Sequence, residues 1–484
     1  MLKQIPYLLL AFLYFQSCTS SQYLQNSKSS FSLTDQGSLL KFTYEEEFNE
    51  LGHLASPWAT NTYAGKGSFW LGKASFYKHD TLLSNRGRTY FSKTQWSDDT
   101  LLYLDYGDEQ IMGLTADMHL LKLINTAKYS PTVVYKEFLK RAKETKVETK
   151  DKQAVYTLKM GSYKVNLAIN TSSQDIDFIS YLSYDELYGD VNTTFSYTGY
   201  QRKEGVSYPT AIKVEKINAK AIDLVNVISV EKASPKLSLL EKPTDYQLIA
   251  PTPAKAAKIT VAKYNDYIHL IDLEHTDDKV LVVEFDDYML VAEAPINPAN
   301  GELIITEVKK IAPTKPIKYF VFGHHHPHYL GGLRAFVHKG ATIICTEMSE
   351  NYVTTIANAP HTLQPDKLEK EPIELKTQVV KDSLEIGENV KMKIYFIGEK
   401  SAHTYDYLIY YFPQDQLLFQ DDLCWIAKDG PITKAGSRQV GLYNSILELN
   451  LKVDTIIQSW PVNDHKVKTI IPFSDLEKSV LMEK

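Results

Sequence analysis

From about residue 40 to 245, hydrophobic and polar positions alternate in short runs separated by polar turns: "GKGSFWLGKASFYK", "TLLYLDYGDEQIMGL", "AVYTLKMGSYKVNLAI", "NTTFSYTGYQRKEGV" and "AIKVEKI". Period-two alternation rich in aromatic and β-branched residues predicts half-buried antiparallel strands. Two stretches predict helices instead, "YEEEFNELGHLA" near 44 to 55 and "PTVVYKEFLKRAKETK" near 131 to 146. Pro131 falls in the first turn of the second, where its missing N–H is harmless. After about 258 the pattern changes: strand-like runs ("KVLVVEFDD", "YMLVAEAP", "KYFVFG", "ATIICTE", "MKIYFIG", "YLIYYFP", "LLFQDDL") alternate with helical ones ("NGELIITEVKKIA", "GGLRAFVHKG", "GLYNSILELNLK"). That is an α/β pattern. The intervening segment carries Pro235, Pro243, Pro251 and Pro253, breaks both periods and reads as a semi-rigid linker. The expected organisation is an antiparallel β-rich domain at 40–245, a linker at 246–257 and an α/β domain at 258–484.

The β-rich half resembles the curved antiparallel sheet of periplasmic lipoprotein-carrier proteins and carries no catalytic motif. Its histidines, His53, His79 and His119, are scattered and read as structural or surface residues rather than ligands.

With 484 residues, 44% hydrophobic and 23% charged, the chain has the balance of a soluble globular protein of two or three domains. A formal net charge of -6 and the lack of a basic run argue against nucleic-acid binding. The start, "MLKQIPYLLLAFLYFQSC", has one early lysine and an apolar run too short for an ordinary spanning helix, which predicts a signal peptide over 1–17. "FQSC" resembles a bacterial lipobox, with Phe15 in place of the usual leucine. That resemblance implies a lipid anchor on Cys18, a flexible tether over 18–39, and a cell-envelope location facing the periplasm or on the outer membrane. Cys345 and Cys424 then remain, which is not a disulfide framework. Either suits a core, and Cys424, in "DDLCW", could also line a site.

The chemistry concentrates in "VFGHHHPHYLGG". A strand, "IKYFVFG", runs into His324, His325, His326, Pro327 and His328. His324 and His326 are two apart, so in extended backbone their side chains point the same way while His325 points oppositely. Two imidazoles at a strand end are half of a zinc site, and a catalytic zinc needs at least one further ligand plus a position for water. His403, in a polar turn between two apolar strands, is the candidate third ligand. Just beyond it, "QLLFQDDLCW" ends a strand with Asp421 and Asp422.

Over about residues 258 to 480 this order resembles the metallo-β-lactamase-fold hydrolases, whose signature is His-x-His-x-Asp-His, a Gly-Gly, a lone later histidine, an aspartate ending a strand, and a last histidine after a buried strand. His324 and His326 take the first two positions, Gly331 and Gly332 the glycines, His403 the third histidine and Asp422 the metal-bridging aspartate. The signature's aspartate is His328 here, its following histidine is Tyr329, and its last histidine falls on Trp460, with His465 five residues on. Glu293 stands where the family often has a supporting aspartate. The resemblance implies an αββα sandwich, a metal site of His324, His326, His403 and Asp422, and a second metal site stripped of most ligands.

The expected function is therefore zinc-dependent hydrolysis of an ester or similar small molecule, with one zinc per chain that activates a water. Asp422 would ligate or hydrogen-bond that water, His328 would shuttle its proton, and Tyr329 would steady the oxyanion. The competing expectation is a non-catalytic metal- or ligand-binding protein of the same fold, which loss of the second site favours.

Overall fold

A computed structural model describes residues 22–27, 39–72, 75–84, 87, 89–97, 100–105, 110–112, 115–233, 247–250 and 255–482. The signal segment and Cys18 lie outside the described residues, as do 234–246 and 251–254 of the Pro-rich stretch. The described chain forms two compact units. One takes its residues from 1–51, 60–183 and 191–253; the other comprises Gly52–Ala59, Tyr184–Asp190 and Ala254–Lys484.

The first unit is built on a fourteen-stranded, largely antiparallel sheet in which Gln247–Ile249 runs parallel to Gln110–Met112. Leu39–Leu51 is a strand, which corrects the helix expected near 44 to 55. Its three consecutive glutamates favour a helix, but Leu40, Phe42 and Tyr44 recur at a period of two and are all buried. Pairing with Thr60–Leu71 on one side and Ala221–Ala233 on the other decides the outcome, because both edges of the strand gain a ladder. The helix expected near 131 appears as Thr132–Lys140, followed by a short 3₁₀ turn at Ala142–Glu144. Its Val134 and Phe138 join Phe42, Tyr156, Leu167 and Phe195 in the unit's core.

The second unit holds a seven-stranded and a six-stranded mixed sheet. The seven strands, in spatial order Ile259–Lys263, Ile268–Leu273, Asp278–Glu284, Met289–Ala292, Ile317–Val321, Thr342–Thr346 and Lys376–Val380, begin as an antiparallel meander and continue in parallel. The six are Ser383–Ile386, Met392–Phe396, Leu408–Phe412, Leu417–Gln420, Thr455–Gln458 and Ile470–Pro472. One core cluster draws on both sheets, with Leu281, Leu290 and Ile344 from the first and Ile394, Tyr410 and Phe419 from the second. A second cluster joins the seven-stranded sheet to the helices Pro298–Ile311, Leu333–His338 and Glu347–Ala357; a third joins the six-stranded sheet to Ser437–Glu448 and Phe473–Val480. Asn297 caps the first of these helices, and Pro298 occupies its first turn. Gly331 and Gly332 allow close approach: a Cβ on Gly331 would meet the Ile296 backbone at 2.2 Å, and one on Gly332 would meet Ala294 Cβ at 2.7 Å.

Candidate metal centre

Four strands deliver the site from their C-terminal ends. Met289–Ala292 leads to Glu293, Ile317–Val321 to the histidine run, Leu417–Gln420 to Asp421 and Asp422, and Thr455–Gln458 to Trp460. Crevices at the carboxyl ends of such strands are where α/β proteins bind ligands. His403 comes from the turn before Leu408–Phe412, where Ala402 adopts a left-handed φ of 52° and Ser401 Oγ accepts from the His403 backbone at 3.1 Å. The main-chain bond from Leu408 N to Gly323 O, 2.7 Å, ties this turn to the histidine run.

His324, His326 and His403 converge, with one nitrogen of each lying within 4.8 Å of the others. His324 Nε2 and His326 Nδ1 approach to 2.9 Å. The partners of their other nitrogens decide what that approach means. His326 Nε2 lies 3.1 Å from the Leu54 carbonyl, which can only accept, so the hydrogen is on Nε2 and Nδ1 is bare. His324 Nδ1 lies 2.7 Å from Asp421 Oδ2 and donates to it, which leaves Nε2 bare as well. Two lone pairs then face each other. Burial, reinforced by the neighbouring histidines, lowers His326 to about 2 and His324 well below the ordinary histidine value, so both rings are neutral. His403 Nε2, buried, lies 3.1 Å from Asp422 Oδ2 without the direction of a hydrogen bond. A buried cradle of three ring nitrogens, none with a hydrogen-bond donor of its own to satisfy it, fits a divalent cation of zinc's ligand preference.

Beneath the triad sits a carboxyl pair. Glu293 accepts from Gly323 N at 3.2 Å and from Tyr410 Oη at 2.8 Å, and interacts with Asp421. It therefore braces the histidine strand rather than a histidine ring; the carboxylate on His324 is Asp421. Burial pushes Glu293 up to about 8 against its hydrogen bonds, and burial with the charges of Glu293 and Asp422 pushes Asp421 well above the carboxylate range. Burial thus favours a proton on this pair, while Asp421 Oδ2 accepts from His324. Tyr407, which the sequence reading did not single out, stacks on His324 with centroids 4.8 Å apart. Its hydroxyl accepts from the backbone N–H of Asp421 at 3.2 Å and of Asp422 at 3.1 Å, so it sets the strand end against the first histidine.

The residues at the second-site positions are arranged otherwise. His328 Nδ1 is 3.0 Å from Asp278 Oδ1. Burial opposes its charge, but the hydrogen bond and charge of Asp278 outweigh it and hold the imidazole above its ordinary pKa. Burial in turn pushes Asp278 up to about 6, with His328 working against the shift. Tyr329 is 2% exposed, with its ring 4.4 Å from that of His324, and burial with the Asp422 and Asp421 charges pushes its hydroxyl well above 10. Asp422 receives Arg438 Nη1 at 2.9 Å and Tyr407 Oη at 3.3 Å. Trp460 lies 5.4 Å from the His328 ring and 5.5 Å from Trp425. Asp277 accepts from the backbone of Asn463 and Asp464, folding that loop so that His465 rests on Trp425 and Trp460 at 5.0 and 5.3 Å. Among the described residues, the three-ligand group does not include His328, Asp422 or His465.

Two further contributions were not visible in the histidine pattern. His53, read as structural or surface, stacks on His326 with centroids 4.7 Å apart, and its neighbour Leu54 supplies the carbonyl on the same ring. His325 takes different partners from its flanking histidines, in a run that bends after the strand ends at Val321; Asp406 accepts from both its N and its Nδ1, at 3.0 and 2.9 Å, and takes Ser349 Oγ at 2.6 Å. Cys345 and Cys424 are both buried in cores, and burial pushes each thiol up to about 12, which keeps both protonated at neutral pH.

No family model and no curated protein matches the chain. Among solved structures, a metallo-beta-lactamase from Pontibacter korlensis is similar over 46% of this chain and 97% of its own, at 18% identity and a TM-score of 0.34. The metallo-beta-lactamase FIM-1 from Pseudomonas aeruginosa, in its mono-zinc form, is similar over 47% of this chain and 95% of its own, at 16% identity and a TM-score of 0.34. A metallo beta lactamase from Hirschia baltica covers 46% and 95%, at 15% identity and a TM-score of 0.32. The structural neighbours are thus metallo-β-lactamase-fold proteins at low identity and partial coverage.

Proposed function

We propose that the second unit is a metal-dependent hydrolase of the metallo-β-lactamase type, with a single zinc ion held by His324 Nε2, His326 Nδ1 and His403 Nε2. The observation that carries this reading is the 2.9 Å approach of two bare ring nitrogens whose partner nitrogens are committed to Asp421 and Leu54. The αββα layering belongs to the same reading, supported by the core shared between the two sheets and by the helices that join each sheet's own cluster.

When bound, zinc supplies Lewis acidity and lowers the pKa of a water toward neutrality. The chain's own groups do the rest. Asp421 and the Leu54 carbonyl fix the tautomers of the first two histidines. Asp422, anchored by Arg438 and Tyr407, presents a carboxylate beside His403 that orients the attacking water or adds a ligand. His328, paired with Asp278, accepts and returns a proton. Tyr329 remains protonated because burial disfavours its phenolate, so its hydroxyl can only act as a neutral donor to developing negative charge. The substrate is a small molecule with a hydrolysable ester or similar bond.

The test is hydrolysis of an ester panel by the purified chain before and after chelation. Activity lost on chelation and restored by zinc is the expected result; hydrolysis indifferent to chelation overturns it. One observation favours a second reading, a metal- or ligand-binding protein without turnover: the Trp460 ring, not a ligand, stands 5.4 Å from His328. Zinc bound tightly with no hydrolysis of any panel member would select that reading.

We further propose a processed chain acylated at Cys18 and held in a bacterial envelope, periplasmic or outer-membrane associated. Several acyl chains are needed for firm anchorage. Mass spectrometry of the mature N-terminus decides this; an unmodified terminus beyond Cys18 would exclude it.

A further inference from the structure

The first unit encloses a cavity of about 610 Å³, lined by residues of that unit alone. Its size falls in the range of roughly 300–1,000 Å³ typical of small-molecule sites. Part of the lining is apolar, with Phe48, Leu51, Leu82, Phe195, Val214 and Ile217. The rest is ionic. Lys128 Nζ lies 2.7 Å from Glu46 Oε2 and 3.1 Å from Asp223 Oδ2. Lys216 Nζ lies 2.8 Å from Asp223 Oδ1 and donates to the Asn49 carbonyl. Lys78 pairs with Asp80 and donates to Tyr129 Oη at 3.2 Å.

The two signs are not equally accessible. The side chains of Glu46 and Asp223 are each 1% exposed and that of Asp80 is 4%, whereas Lys78, Lys128 and Lys216 reach 12%, 14% and 23%. These three carboxylates therefore lie behind and the three ammonium groups face the space; Glu50, an exposed residue, and Lys122 also line the cavity, so the charges of the lining cancel. An ammonium has three N–H donors, and the contacts above use two on each lysine. The Phe48 ring lies 4.5 Å from Lys128 Nζ and 4.2 Å from Lys216 Nζ, which brings cationic and apolar surface together. Buried ion networks are a poor source of net stability compared with apolar packing. One kept beside an open, partly apolar cavity has a use as a binding surface.

We infer that this cavity binds a single-chain amphiphile with an anionic head. A carboxylate or phosphate monoester takes the remaining N–H groups of Lys78, Lys128 and Lys216, and the apolar body lies against Phe48, Phe195 and Val214. This site is independent of the histidine triad and of any hydrolysis there.

Isothermal titration calorimetry of the full chain tests it, with dodecanoate, dodecyl phosphate, inorganic phosphate and dodecyltrimethylammonium as probes below their micelle concentrations. Both anionic amphiphiles should bind once per chain and at least about tenfold more tightly than either other probe, a gap of about 1.4 kcal/mol. Val214→Trp, across the strand pair from Asp223, fills the cavity without removing an ionic group, and Lys216→Met removes the most exposed of these three ammonium groups. Each should weaken dodecanoate by about tenfold or more. Inorganic phosphate binding as tightly as dodecyl phosphate, equal binding of the cationic amphiphile, or unchanged dodecanoate affinity in a Val214→Trp chain that is folded by circular dichroism would each overturn the inference. The comparison of probes on the unmodified chain stands even if both variants fail to fold.

Discussion

A Cβ on Gly323 would stand 2.1 Å from Asp421 Oδ2, the oxygen that accepts from His324 Nδ1. The missing side chain is what lets a buried carboxylate come under the first histidine and fix its tautomer. Gly323→Ala should displace Asp421 and lower zinc affinity by about 10- to 100-fold, the usual cost of losing a group that orients a ligand. Competition with a chromophoric chelator measures this. Unchanged affinity in a folded Gly323→Ala chain would mean that Asp421 does not orient the ligand.

The pairing of His328 with Asp278 predicts a pH effect. In the folded chain His328 lies above its ordinary pKa because the hydrogen bond and charge of Asp278 outweigh burial. A raised histidine binds its proton more strongly folded than unfolded. It therefore contributes stability that is complete below the ordinary value of about 6.5 and is lost as pH rises through the folded value. Asp278→Asn removes the opposing carboxylate and leaves the burial, so the His328 pKa should fall below the ordinary value and that part of the pH dependence should vanish. NMR titration of the ring, with denaturation across neutral pH, reads both; an unmoved His328 pKa would contradict the pairing.

Arg334 holds the helical side of the same unit. It is 2% exposed, donates to both oxygens of Asp366 at 2.6 and 3.1 Å, and donates to the carbonyls of Ile356, Ala357 and Ala359. Removing one partner of a buried ion pair typically costs about 3–5 kcal/mol. Arg334→Ala should lower the unfolding free energy of the second unit by about that amount in urea, while a loss within the range of surface substitutions would show the network to be redundant.

How much of this was legible depends on sequence distance. The triad could be read because His324 and His326 share one strand end and His403 sits in a polar turn between apolar strands, both local patterns. The carbonyl that sets the His326 tautomer is 272 residues away at Leu54, and no local pattern points to it. Glu293 was expected as the supporting carboxylate, but the contact with His324 belongs to Asp421, and only Gly323's open side makes that possible. The strand Leu39–Leu51 was misread as a helix because glutamate propensity is local, while the two ladders that override it come from partners distant in sequence or not yet paired. His465 depends on two backbone contacts to Asp277, and a loop's path is not written in its composition.

The proposed site holds one metal ion per chain on three neutral imidazoles, with His328 outside the coordination. Elemental analysis of the purified chain and of two variants tests it most directly. The unmodified chain should carry one zinc; His403→Ala, which removes a ligand from the triad, should lose it; His328→Ala should retain it, with only turnover reduced. Two ions per unmodified chain, or equal metal loss from the two variants, would contradict the account, because His328 would then be a ligand rather than the partner of Asp278.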